Sequence, residues 1–241
     1  MASSATKIPL ILLPGLLCDH ALWAAQLAGL ADIAEMQVAD LTRDDSMAAM
    51  AARVLAEAPT RFSLAGLSMG GYLAQEIMRQ SPERVVRLAL LDTSARADTP
   101  ERLAQRRGLI ELAQKGEFKG ITPRLLPQWI HPERLGEEAL IRALTEMTQR
   151  VGRNAYLRQM KAIMGRPDGR ADLKRIRVKV LVLCGREGQS TPLALHEEIA
   201  SFIPDATLAI IEHCGHLSTM ERPEEVNRAL RSWLVQEPAA T

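Results

Sequence analysis

The sequence has few cysteines and no apolar segment long enough to span a membrane. Three cysteines, widely separated among 241 residues, are too few for a disulfide framework or a cysteine-rich zinc site. The first apolar run, residues 8–13, is shorter than the apolar region of a secretion signal and far shorter than a membrane-spanning helix. We therefore expect a cytoplasmic protein that is neither disulfide-stapled nor inserted in a membrane.

The chain also lacks an excess of either positive or negative charge. The chain has 30 basic and 29 acidic residues, and their interleaving leaves no basic patch for nucleic acid or for an anionic membrane. No phosphate-binding loop, dinucleotide fingerprint or cluster of metal ligands is present either. The sequence thus predicts no cofactor, no metal, a small-molecule substrate as the main partner, and a monomer or homodimer.

Apolar runs typical of buried strands alternate with helical patterns along most of the chain. The runs cover residues 8–13, 35–41, 62–67, 85–91, 178–184 and 206–212. Such alternation predicts an α/β fold with a doubly wound, mainly parallel sheet of about six strands. Between residues 96 and 170 the alternation gives way to several helices, which we interpret as a helical cap inserted after the strand that ends near Asp92. Residues 1–95 and 171–241 would then form the core.

A Gly-x-Ser-x-Gly motif, Gly66 to Gly70, joins the third apolar run to a helical pattern. Small residues on both sides of a sharp strand-to-helix bend allow close packing there, and the bend exposes the serine hydroxyl. Ser68 is therefore the candidate nucleophile. The amide of Met69, in the first turn of the helix, is a candidate donor to an oxyanion.

A serine nucleophile requires a base and a second oxyanion donor. His216 follows the last apolar run, in a loop at the carboxyl end of the predicted sheet, where ligands bind in open α/β sheets. It is the candidate base. The loop after the first run contains Pro14-Gly15-Leu16, and the amide of Leu16 is the candidate second donor.

Three segments of the chain resemble motifs of the α/β-hydrolase family. Leu12-Leu13-Pro14-Gly15 is similar to the oxyanion loop, Gly66-Leu67-Ser68-Met69-Gly70-Gly71 to the nucleophile elbow, and Gly215-His216-Leu217, followed by Glu221-Arg222-Pro223, to the histidine turn. The small carboxylesterases, enol-lactonases and cofactor-free haloperoxidase-like members are the most similar. The resemblance implies hydrolysis of a small or medium carboxylic ester or lactone through an acyl-enzyme, and the order serine, acid, histidine.

The acid of that order is where the sequence departs from the family. The family pattern Gly-x-x-Asp-x-x-Thr-Pro matches residues 185–192 except that Gly188 stands in place of the aspartate. Three interpretations remain open: Asp92 is a tentative substitute acid, Glu187 is the substitute, or the acid position is vacant and the enzyme is weakened. The alternative functions are a pseudo-hydrolase that binds a small ligand and a C–C hydrolase or perhydrolase on the same fold.

Overall fold

A single parallel sheet of six strands forms the centre of the fold. The computed structural model describes residues 7–116 and 118–235. The strands are β1 (Ile8–Leu13), β2 (Ala34–Val38), β3 (Phe62–Leu67), β4 (Val85–Leu91), β5 (Lys179–Gly185) and β6 (Ala206–Ile211), in the spatial order β2-β1-β3-β4-β5-β6. The predicted fold class is confirmed.

The strands are buried because both faces of the sheet are covered, as continuous apolar runs require. Alternate side chains of β1 enter different cores: Ile11 and Leu13 join the cluster on one face, and Leu10 and Leu12 join the cluster on the other. Every residue of β3 is buried. The central strand therefore ends at Ser68 with its backbone held on both sides by β1 and β4.

Helices cover both faces and the carboxyl edge of the sheet. In chain order they are α1 (Ala24–Gly29), α2 (Met47–Glu57), α3 (Met69–Gln80), α4 (Pro100–Lys115), α5 (Leu126–Trp129), α6 (Glu138–Met164), α7 (Arg170–Leu173), α8 (Leu193–Phe202), α9 (Ser218–Glu221) and α10 (Pro223–Val235). Residues of α2, α3 and α8 pack in one core, and residues of α10 pack in the other. No helix in the described part of the chain is long and apolar enough to cross a membrane.

The segment between β4 and β5 is helical and contains α4 to α7. Helix α6 bends at Gly152, whose φ of 76° is not helical. The first half of α6 contributes Leu144 and Met147 to a sheet core, whereas α4 has no buried residue. Helix α4 packs, through partly buried side chains only, against a small cluster that includes Tyr156 of α6. The proposed division into a core and a cap, residues 96–170, stays a prediction.

Gly70 illustrates how closely α3 approaches the sheet. A Cβ at this position would lie 2.1 Å from the carbonyl oxygen of Leu13 and 2.9 Å from that of Pro14. Backbone atoms at the end of β1 cannot move away without breaking the ladder. We expect Gly70→Ala to lower the free energy of unfolding by about 3 kcal/mol, and Tm by about 6–12 °C.

Gly108→Ala is the matched control for that prediction. Gly108 lies within α4, and a Cβ there would meet nothing within 4 Å. Alanine is the better helix former, so this variant should be as stable as the parent or more stable by up to about 1 kcal/mol. Thermal unfolding followed by circular dichroism compares the two variants. A Gly70→Ala protein with the Tm of the parent would contradict the close approach.

Candidate active site

Ser68 lies at a strained bend between β3 and α3. Its φ of 55° and ψ of −112° are unusual for a residue with a side chain. The strain is held from several sides, because the Ser68 amide donates to the Leu91 carbonyl (2.9 Å) and the Thr93 hydroxyl donates to the Ser68 carbonyl (2.8 Å). Gly66 has no room for a Cβ, which would lie 2.2 Å from the Gly70 carbonyl oxygen. These contacts hold the Ser68 side chain at the carboxyl edge of the sheet.

The structure brings His216 to Ser68. The Nε2 atom of His216 lies 2.9 Å from the Oγ atom of Ser68, a hydrogen-bonding distance, although 148 residues separate them in the sequence. His216 is 7% exposed and sits in the loop between β6 and α9. A neutral imidazole in this position can accept the hydroxyl proton of Ser68.

The histidine turn is held by a buried carboxylate that sequence analysis did not identify as functional. Glu221 in α9 accepts hydrogen bonds from the amides of Gly215, Leu217 and His131. The first two amides flank His216, and the third belongs to the segment between β4 and β5. Burial raises the pKa of Glu221, and the three amide hydrogen bonds oppose that effect. Glu221 therefore fixes the backbone of the turn against the helical segment, without contacting Ser68.

The other ring nitrogen of His216 faces a hydroxyl group. Thr191 Oγ1 lies 3.0 Å from His216 Nδ1, in a buried contact between two loops of the core. A hydroxyl can donate or accept, so it satisfies either neutral tautomer of the ring, whereas a carboxylate accepts only and selects the Nδ1–H tautomer. The role of Thr191 was not predicted, because the motif at residues 185–192 places the histidine's partner at position 188 and a threonine hydroxyl alone does not indicate this contact.

The carboxylate of Asp92 accepts hydrogen bonds from residues other than His216. One oxygen accepts the Gly185 amide at 3.0 Å, and the other accepts the hydroxyl and amide of Ser218. Asp92 is buried at the end of β4 with a φ of 44°, and burial raises its pKa to about 7 in spite of these hydrogen bonds. Its contacts join β5 to the residue that begins α9, and Thr191 takes the place beside His216 Nδ1.

Glu187 is also bonded away from the ring of His216. Its carboxylate accepts the Cys214 amide at 3.0 Å and lies 3.9 Å from His131 Nε2. Its neighbour Gly188, at the expected acid position, does not have a positive φ. The structure therefore places Asp92 and Glu187 in hydrogen bonds that support loops near the histidine.

A side chain could be accommodated at position 188. A Cβ there would lie 3.3 Å from the carbonyl oxygen of Gly185, 3.5 Å from that of Gly215 and 3.6 Å from that of Thr191. Only the first distance is tight, and it requires a shift of a few tenths of an ångström. Since Gly215 precedes His216 and Thr191 contacts its ring, a side chain at position 188 would start beside the histidine turn.

The candidate oxyanion donors lie on the two segments that meet at Gly70. Met69 is the first residue of α3 and follows Ser68 directly, and Leu16 lies in the loop after β1. The absence of a side chain at Gly70 brings the start of α3 against Leu13 and Pro14, and both Leu16 and Ser68 line the same cavity. The role of the two amides as an oxyanion hole stays a prediction.

The electrostatic surroundings of His216 disfavour its protonation. Burial lowers the pKa of the ring to about 3, and His196 and Arg102 act in the same direction. The ring is therefore neutral at any pH near 7, as a general base must be. The same surroundings would disfavour an imidazolium formed by proton transfer from Ser68.

Ser68 and His216 line a cavity of about 1000 Å³ between the sheet edge and the helical segment. Its volume lies at the upper end of the range for small-molecule sites. Apolar side chains from both parts of the chain face it, among them Leu16, Leu109, Phe118, Trp129, Tyr156 and Ile163. The hydroxyl of Ser68 is thus accessible to a ligand with a sizeable apolar portion.

One group of side chains near the histidine turn has the composition of a metal site. Ligand atoms of His131, Glu133 and His213 lie within 4.8 Å of one another, and two of the three residues are exposed. Nδ1 of His131 already accepts the Glu133 amide at 3.2 Å, which competes with a metal for the same lone pair. The expectation that the protein needs no metal stays a prediction.

Comparison with known proteins gives a consistent result. The sequence pattern of the Alpha/beta hydrolase family matches residues 9–229. The chain is 26% identical over 233 residues to a pimeloyl-(acyl-carrier protein) methyl ester esterase of Nitrosomonas europaea, an alignment that covers 90% of this chain and 91% of that protein. It is 25% identical over 173 residues to 3-oxoadipate enol-lactonase 2 of Acinetobacter baylyi, covering 69% of this chain and 61% of the relative.

A solved structure agrees with these matches. A thermophilic esterase from Thermogutta terrifontis, determined with malate bound, superposes on this chain with a TM-score of 0.85 at 28% sequence identity. The superposition covers 96% of this chain and 90% of the esterase. The fold and the sequence thus point to the same group of proteins.

Proposed function

The chain belongs to the alpha/beta hydrolase family, and from this premise we propose that it hydrolyses a carboxylic ester or lactone through an acyl-enzyme on Ser68. The observation that carries the proposal is the 2.9 Å contact between Ser68 Oγ and His216 Nε2 at the bottom of an open cavity. The esterase and enol-lactonase activities named for the relatives support the choice of ester or lactone.

The reaction follows from the positions of these groups. Ser68 Oγ attacks the carbonyl carbon while His216 Nε2 takes its proton, and the amides of Met69 and Leu16 donate to the resulting oxyanion. The imidazolium then protonates the leaving oxygen, which departs as the alcohol and leaves the acyl group on Ser68. Water, deprotonated by His216, attacks the acyl-enzyme, and the proton returns to Ser68 as the carboxylic acid leaves.

We propose that the site hydrolyses its substrate more slowly than a complete serine–histidine–acid triad would. Thr191 occupies the position beside His216 Nδ1 where a carboxylate would stabilise the imidazolium. Its hydroxyl carries no charge, and it also accepts the unproductive tautomer in which Nε2 bears the proton. Both effects reduce catalysis and leave the nucleophile and its base in place.

Covalent labelling tests the proposed nucleophile. A fluorophosphonate probe should add one phosphonyl group to the protein, and peptide mapping by mass spectrometry should place it on Ser68. A p-nitrophenyl ester should be hydrolysed by the same preparation. The control is Ser63→Ala: Ser63 lies in β3, and its buried hydroxyl has no partner among the described residues, so its loss should leave labelling unchanged.

The same experiment separates a hydrolase from a pseudo-enzyme. A label on Ser68 together with ester turnover supports the hydrolase. A label on another residue would overturn the assignment of the nucleophile. The absence of a label both in the parent and in the Gly188→Asp variant would overturn the proposed function, and would favour a protein that retains the cavity only for binding.

A further inference from the structure

Among the residues that the structure describes, the charged side chains that line the cavity above Ser68 are all basic. Four cationic side chains line it, and none of the lining residues that the structure describes is acidic. The four are Arg102, Arg106, Lys119 and Arg124. The net charge of the whole chain is only +1, so this imbalance is local to the cavity.

The arginines differ in how far their charge is compensated. Arg106 is paired with Asp98, its Nε atom lying 2.6 Å from a carboxylate oxygen. Arg102 makes its hydrogen bond to a backbone carbonyl, that of Ser190, at 3.3 Å. Within residues 7–116 and 118–235, no carboxylate lies at ion-pair distance from Arg102 or Arg124. Two guanidinium groups at the cavity are therefore available to an anion.

Arg102 is the one placed beside the reacting groups. It extends from α4 to the carbonyl of Ser190, and the next residue, Thr191, contacts the ring of His216. A ligand group bound to this guanidinium would lie in the same cavity as Ser68. The positive charge of Arg102 also acts on the ring: after burial and His196, it is a third cause that lowers the pKa of His216.

We propose that the substrate is an anionic ester or lactone, whose carboxylate or phosphate group binds Arg102 while its ester group reaches Ser68. This proposal rests on the proposed function. A guanidinium offers paired N–H donors that match the two oxygens of a carboxylate or phosphate, and such charge-assisted hydrogen bonds are strong. The apolar side chains of the lining, Leu109 and Trp129 among them, would contact the hydrocarbon chain between the two groups.

An anion bound at Arg102 would also affect the protonation of His216. A free Arg102 opposes the imidazolium, whereas an anion bound to the guanidinium cancels its field. Since the carboxylate expected at position 188 is absent from the sequence, a charge brought by the substrate would partly offset the deficit. Anionic substrates should therefore bind more tightly than neutral ones. With an anion bound at Arg102, the imidazolium of His216 that forms during the reaction should also be less disfavoured.

A pair of isosteric esters tests the proposal on the parent protein. Monomethyl glutarate carries a carboxylate, and the methyl ester of glutaramic acid replaces it with an uncharged amide. We expect kcat/KM to be about tenfold higher for the anionic ester, and we expect this preference to shrink as salt is added. Methyl 4-phosphonobutanoate, tested alongside, shows whether a carboxylate or a phosphate-like group is preferred.

Two variants locate the preference. Arg102→Gln should bring the ratio of the two kcat/KM values close to one. Arg107→Gln is the matched control, since Arg107 is an exposed arginine of the same helix that does not line the cavity, and it should retain the parent ratio. Equal kcat/KM values in the parent, or an unchanged ratio in Arg102→Gln, would overturn the proposal.

A binding measurement keeps the inference separate from the proposed function. Titration calorimetry should show that glutarate binds the parent about tenfold more tightly than glutaramide does, and that Arg102→Gln removes the difference. If the fluorophosphonate probe labels neither the parent nor Gly188→Asp but this difference in binding is present, the proposed function fails while the anion site stands. If esters are hydrolysed without any preference for the anion in turnover or binding, the inference fails alone.

Discussion

Gly188→Asp is expected to raise the kcat for ester hydrolysis by about 10²- to 10⁴-fold. In serine proteases, loss of the acid lowers kcat by about 10⁴-fold, because the imidazolium is no longer stabilised and the tautomer is no longer selected. The substitution requires only a small adjustment, because the shortest distance from a Cβ at position 188 to a neighbouring atom is 3.3 Å, to the Gly185 carbonyl oxygen. The range allows for a carboxylate whose position is not optimised.

The pH dependence of the same variant provides a second measurement. In the parent, the pKa of His216 is about 3, so the base is already neutral at pH 5 and its ionisation should not change kcat/KM between pH 5 and 8. A carboxylate beside the ring favours the protonated form and raises that pKa. Gly188→Asp should therefore show a decline in kcat/KM as the pH falls through the raised value, which the parent lacks.

Two further substitutions at position 188 distinguish charge from shape. Gly188→Asn has nearly the size of aspartate but no charge, and Gly188→Ala tests the Cβ alone. Both should remain within about tenfold of the parent in kcat, because neither supplies a counter-charge for the imidazolium. A rise of equal size with asparagine would contradict the idea of a missing carboxylate, as would an unchanged rate with aspartate in a variant that keeps the Tm of the parent.

Ser68→Ala is expected to cost far more in the Gly188→Asp background than in the parent. Serine, histidine and acid act as a unit, so that removing a second member costs little once the first is gone. From the serine protease values, we expect a loss of about 10²-fold in the kcat of the parent. In the Gly188→Asp protein the loss should be about 10⁴- to 10⁶-fold, because the restored acid acts only through Ser68 and His216.

The four proteins of this double-mutant cycle are compared by steady-state hydrolysis of one p-nitrophenyl ester. Ser63→Ala, made in both backgrounds, controls for the loss of a hydroxyl on β3, the strand before Ser68, at a position that does not line the cavity. Equal fold losses from Ser68→Ala in the two backgrounds would show that position 188 acts independently of the nucleophile. That result would contradict the proposed role of an acid at this position.

The parts of the site that could be predicted are those encoded by neighbouring residues. The apolar run before Ser68, its flanking glycines and the helical pattern after it together specify a strand, a bend and a helix, and the structure has β3, Ser68 and α3 in that order. The helical pattern predicted after the motif corresponds to α3, Met69–Gln80. These features depend on sterics and periodicity within a few residues.

The features of the structure that were not predicted depend on packing between segments that are distant in the sequence. Helix α1 (Ala24–Gly29) was not predicted, because its six residues are too few to show a periodic pattern and one of them, Gln26, is polar and fully buried. Thr191 lies in the segment that resembles the family's acid loop, but its own contact with His216, which arises where two loops meet, was not predicted. The bond between Asp92 and Ser218 joins residues 126 positions apart.

The sequence by itself determined the sheet, the bend at Ser68 and the glycine at position 188, since each is specified by residue type and local pattern. It also predicted Ser68 as the nucleophile and His216 as its base. Only the tertiary structure decided which groups surround His216: Thr191 at Nδ1, the Asp92 carboxylate turned to Ser218, and Arg102 over the cavity. The physical reason is the separation in sequence of the residues that interact. Backbone conformation follows from interactions between neighbours, whereas the environment that sets the pKa and tautomer of a buried ring is assembled from loops that meet only after folding.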